Sequence, residues 1–82
     1  MVLINVFCAE TGRNYDFKAD ENALTRHVIA DMKEMIMHRD HIRFDEEGRY
    51  FMLAFPGSGK TLDAEKTLAE NGIGAGDALI LV

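Results

Sequence analysis

Only one stretch of this chain has a helical period, and the residues on either side of it alternate. That combination narrows the folds open to the chain more than any other feature. Projected at about 100° per residue, 24–38 places Leu24, Val28, Ile29, Met32, Met35 and Ile36 on one arc of roughly 140°. The opposite side carries Arg26, His27, Asp31, Lys33, Glu34 and His38, with Ala30 and Met37 as the apolar exceptions. The spacing predicts an amphipathic helix over Leu24 to His38, with Asp20, Glu21 and Asn22 as N-cap candidates. A chain with one such helix must bury its apolar arc against a layer made of strands.

The strands are read from period two. Val2, Ile4, Val6 and Cys8 alternate with Leu3, Asn5 and Phe7, and Tyr15, Phe17 and Ala19 alternate with Asp16 and Lys18. Turn residues at Glu10 to Asn14 join the two runs into an N-terminal hairpin. After the helix, Arg39 to Gly48 is polar and reads as a loop, Arg49 to Phe55 as a third strand, and Pro56-Gly57-Ser58-Gly59 as a turn. A short strand is expected around Lys60 to Leu62, a single helical turn at Thr67 to Asn71 with Gly72 as its C-cap, and a last strand at Ala78 to Val82. The expected architecture is α+β: a mixed sheet in the order ββαββ, with a further short strand near the end and the helix across one face.

At 82 residues the chain has room for one modest core, and 1–82 is expected to form a single domain. The balance of 14 acidic against 9 basic residues gives a net charge of −5, which repels nucleic-acid phosphates. Nucleic acid is therefore not expected as a partner. The apolar runs are too short to span a bilayer, and Met1 to Cys8 has neither the basic start nor the cleavage site of a signal peptide. The chain is expected to be cytoplasmic and not inserted in a membrane. Its one cysteine, Cys8, lies in an apolar run with no His, Lys or helix start beside it, and is read as a buried, inert thiol.

Two stretches imitate chemical sites. Ala54-Phe55-Pro56-Gly57-Ser58-Gly59-Lys60-Thr61 fits a permissive nucleotide-binding P-loop, with Ala54 in place of the first glycine. A P-loop needs a helix directly after it, whose amides hold phosphate, whereas Thr61-Leu62-Asp63 reads as strand and turn. The hairpin reading is preferred. On the helix, His27, Asp31, Glu34 and His38 fall at i, i+4, i+7 and i+11, a spacing that invites a metal. That stripe extends over roughly 16 Å, too far for four groups to meet one ion, so a solvated face is preferred and no metal or other cofactor is expected. No nucleophile elbow or catalytic triad is present, and no enzyme activity is expected.

The residues from Gly59 onward carry a resemblance. Gly59-Lys60, Leu62, Thr67-Leu68, Ile73, Ala78-Leu79 and Leu81 resemble the second half of ubiquitin without a gap. Asn71-Gly72-Ile73-Gly74-Ala75-Gly76-Asp77-Ala78-Leu79 is similar to the ending of bacterial ubiquitin-like proteins of the YukD family, accessories of type VII secretion systems. The resemblance implies a ubiquitin-like β-grasp fold and a non-catalytic adaptor that binds protein partners, among them secretion-machinery components or a second copy of itself. Ubiquitin-like modifiers and sulfur carriers act through a C-terminal Gly-Gly tail, and this sequence ends at Leu81-Val82. Conjugation is accordingly disfavoured.

The same strands specify a surface. If Val2, Ile4, Val6, Leu79 and Leu81 face the helix, Leu3, Phe7, Ile80 and Val82 project from the other side of the sheet. Either Tyr50 and Met52 or Phe51 and Leu53 must join them. An exposed apolar area of this kind is expected to bind a protein, with Leu3, Phe7, Ile80 and Val82 as the candidate site.

Overall fold

In the computed structural model, which describes residues 1–44 and 50–82, the elements follow in the order β1 (Val2–Cys8), β2 (Arg13–Ala19), α1 (Thr25–Asp40), β3 (Leu53–Ala54) and β4 (Ala78–Leu81). They form a four-stranded sheet in the order β2-β1-β4-β3. The chain has the expected α+β, ubiquitin-like β-grasp fold. β1 pairs with β2 antiparallel and with β4 parallel, so the sheet is mixed. A parallel neighbour needs a long crossover, and the chain through β2, α1 and β3 supplies it.

The register shows why the strand alternation was readable. Val6 lies beside Tyr15 on one flank and Leu79 on the other, and Cys8 beside Arg13 and Leu81. Ile4, Val6, Cys8, Tyr15, Leu79 and Leu81 are all buried, and Val28, Ile29, Met32 and Ile36 of α1 belong to the same apolar cluster. Leu68 and Ile73 join that core from the loops before β4. Leu24 and Met35 lie at the margin of the predicted arc and are only half-buried, whereas Thr25 is completely buried.

The helix start differs from expectation. Asp20 does not cap α1; its carboxylate accepts the Asn22 N–H at 2.9 Å and closes a local turn. The N-cap is Leu24, in extended conformation and without a side-chain cap. The first free amides of the helix are met instead by a distant loop: Thr25 N–H donates to the Lys66 carbonyl at 2.8 Å, and Arg26 N–H to the Ala64 carbonyl at 3.1 Å. Helix ends need such partners, and here backbone replaces the usual side chain.

The third strand is shorter than expected. The expected loop end Asp45 to Gly48, and Arg49 at the expected strand start, lie outside the described residues. Leu53–Ala54 pairs with β4, preceded by mutual Met52 and Val82 hydrogen bonds of 2.8 and 2.9 Å. The expected strand at Lys60 to Leu62 reduces to an isolated bridge between Ala54 and Thr61. Gly72 has φ +79°, a left-handed conformation that glycine adopts without a Cβ penalty, and follows the turn at Thr67 to Asn71.

Candidate functional site

The outer face of the sheet is built row by row from the strand register. Phe7 of β1 lies between Asn14 of β2 and Ile80 of β4, and Ile80 lies beside Ala54 of β3. One row further on, Val82 and Met52 exchange backbone hydrogen bonds. Phe7, Val82 and Met52 are 37, 39 and 45% exposed, and Ile80 is half-buried between them. Three of the four predicted residues, Phe7, Ile80 and Val82, are thus brought together.

Leu3 is exposed on the same face but stands apart. It lies four residues from Phe7 along β1, about 13 Å at the rise of a strand. Between them is Asn5, which pairs with Asp16 in the register and donates from Nδ2 to Asp16 Oδ1 at 3.4 Å. A polar row therefore divides Leu3 from the Phe7 cluster.

The choice left open for 49–55 is also resolved. Leu53 is fully buried opposite Leu81, so Met52 faces outward; Phe51 packs against the edge of the core. Sequence periodicity could not choose because a one-residue slip exchanges the two faces of a strand. Tyr50 is 91% exposed.

The imitations of chemical sites resolve into structure. Phe55 N–H donates to the Lys60 carbonyl and Gly59 N–H to the Phe55 carbonyl, closing 55–60 into a tight turn. Thr61 then bridges back to Ala54, so the chain doubles back where a P-loop would enter a helix. His27, Asp31, Glu34 and His38 are all exposed, and among the described residues no three His, Cys, Asp or Glu side chains come together to hold an ion.

A polar cluster with no signature in the residue pattern ties the end of α1 to β2. The Tyr15 hydroxyl donates to Asp40 Oδ2 and lies 3.0 Å from Thr11 Oγ1, while Arg13 Nη1 is 3.7 Å from Asp40 Oδ1. Burial raises the Tyr15 pKa above its ordinary value, and the hydrogen bond to Asp40 raises it further. Asp40 is a carboxylate at the negative end of a helix, an unfavourable place that the Tyr15 and Arg13 donors offset. Tyr15 fits the alternating strand pattern, but its polar partner is 25 residues away in sequence.

No family model and no curated protein matches the chain. Among solved structures, the chain is similar to the EccD5 ubiquitin-like domain from Mycobacterium xenopi, with a TM-score of 0.83 at 20% identity, over 99% of this chain and 91% of that one. It is also similar to a chain of the MycP5-free ESX-5 inner membrane complex in its State II, with a TM-score of 0.82 at 22% identity. That match takes in 99% of this chain and only 20% of the larger one. At these identities the likeness is one of fold, and the fold is that of a ubiquitin-like domain.

Proposed function

We propose that the chain is a non-catalytic protein-interaction module of a type VII secretion apparatus, related to the YukD proteins and working on the cytoplasmic side. Its site is the outer sheet face formed by Phe7, Ile80, Val82 and Met52, with Leu3 as a separate outlying contact. The observation that carries the reading is the set of large apolar side chains lying side by side and partly exposed on one face of the sheet. Contiguous apolar side chains, unlike singly scattered ones, mark interaction sites on a protein surface. The secretion assignment is supported by the similar structures, one a ubiquitin-like domain and the other part of an inner membrane complex. Among the described residues no helix is long and apolar enough to cross a membrane, which accords with a module that docks onto a membrane assembly.

Phe7→Asp and Met52→Asp change exposed positions and test the face directly. Both variants are expected to keep the parent's circular dichroism and lose co-purification with the membrane components of the secretion apparatus. Variants that fold and still co-purify at the parent level would overturn the docking face.

A further inference from the structure

Among the described residues the sheet order leaves two edges, and they are not equivalent. The β3 edge is two residues long, and the following chain covers it through the Ala54 and Thr61 bridge and the Leu62 N–H donated to the Leu53 carbonyl. β2 is a seven-residue edge, Arg-Asn-Tyr-Asp-Phe-Lys-Ala, without proline or glycine. Unpaired strand edges of that length are templates for another strand.

The free groups on β2 follow from the bonds on its other side. Odd-numbered residues of β1 turn their backbone groups toward β4, as in Asn5 N–H to the Asp77 carbonyl, Ala9 N–H to the Leu81 carbonyl and Gly76 N–H to the Leu3 carbonyl. Even-numbered ones therefore bond β2, and through the register they meet Arg13, Tyr15, Phe17 and Ala19. The N–H and C=O groups of Asn14, Asp16 and Lys18 are left pointing away from the sheet.

An antiparallel strand added there would place a residue beside each of these. Asp16 calls for a basic neighbour, Lys18 for an acidic one, and the half-buried Phe17 for an apolar one. Read in the opposite direction, β2 itself supplies them: Asp16 falls opposite Lys18, Phe17 opposite Phe17, and Lys18 opposite Asp16. Slipping this register by two residues sets Asp16 against Asp16 or Lys18 against Lys18, so like charges disfavour the neighbouring registers. We propose that two copies of this chain pair through β2, antiparallel about a two-fold axis at Phe17, joining their sheets into one of eight strands. This edge is distinct from the outer face, which stays open in the dimer.

Equilibrium sedimentation from about 10 µM to about 1 mM spans the affinity expected of so small an interface. A monomer-dimer equilibrium is expected in that range. Asp16→Lys alone and Lys18→Asp alone, both at exposed positions, should each weaken dimerisation by about tenfold or more, because each sets like charges against each other in both halves of the pair. An equimolar mixture of the two variants should recover it. In the mixed dimer one strand carries two lysines and the other two aspartates, so each cross-strand pair again joins opposite charges. Recovery in the mixture also requires both variants to be folded. On dimerisation the amides of Asn14, Asp16 and Lys18 should gain protection from hydrogen exchange. The proposal is overturned if the chain remains monomeric at the highest concentration, if the single variants dimerise as the parent does, or if the Asn14, Asp16 and Lys18 amides gain no protection in the dimer.

Discussion

His41 and Asn71 show how single residues take on backbone duties here. His41 ends α1 at φ +54°, the only described non-glycine residue with positive φ, and its N–H returns to the Met37 carbonyl. A side chain in that region crowds the backbone, while glycine sits there freely but gains more freedom on unfolding. The first effect exceeds the second at an exposed C-cap, so His41→Gly should stabilise the fold by about 0.5 to 1 kcal/mol in urea unfolding. Asn71 works in the opposite sense. Its Oδ1 accepts the Asp63 N–H at 2.9 Å, and its Nδ2 lies within 3.1 Å of the Asp63 and Thr67 carbonyls and of Thr25 Oγ1. Thr25 in turn donates to the Lys66 carbonyl at 2.7 Å. Asn71→Ala leaves a completely buried Thr25 hydroxyl with one partner fewer and frees the loop that caps α1. A loss of about 1 to 3 kcal/mol is expected, with exchange of the Thr25 and Arg26 amides accelerating alongside it.

At the level of the elements, β4 holds the sheet together because it lies between β1 and β3. Leu79 is fully buried beside Val6, so Leu79→Ala should cost about 2 to 4 kcal/mol, read as a lower denaturation midpoint. β1, β2, β4 and the interior of α1 were legible because each buries one face, which writes a period of two or about 3.6 into the residues. The start of α1 was not. Its cap is made by carbonyls from residues 64 and 66, and a backbone group leaves no mark on the sequence. Thr25 was invisible for the same reason, since its burial follows from what Lys66 and Asn71 offer it. The candidate face was legible in Phe7, Ile80 and Val82, whose strands have a fixed register. Met52 was one of two open choices, because the short β3 takes its register from pairing with β4. Leu3 fell on the predicted face but outside the cluster, since alternation identifies a face and says nothing of the polar Asn5 and Asp16 row across it.

For the molecule as a whole, the hydroxyl of Tyr15 is a polar link between the sheet and the far end of the helix, beside Arg13, and it makes global stability depend on alkaline pH. With its pKa raised by burial and by Asp40, Tyr15 keeps its proton in the folded chain at a pH where the unfolded chain has begun to release it. The unfolded state then binds fewer protons than the native one, so stability falls as pH rises. The contribution is complete below about 10, the ordinary phenol value, and is lost as pH climbs through the higher folded value. Acid has no such effect through this group, because the phenol is protonated in both states there. Tyr15→Phe retains the buried ring and removes the titration. It should cost about 1 to 2 kcal/mol near neutrality, where the hydrogen bond to a carboxylate is lost. Above a pH of about 10 the gap between parent and variant should narrow steadily as ionisation removes the same bond from the parent. Urea unfolding of both proteins from neutral pH upward measures that gap directly. A gap that stays constant or widens through the alkaline range would show that the Tyr15 hydroxyl does not hold the helix to the sheet.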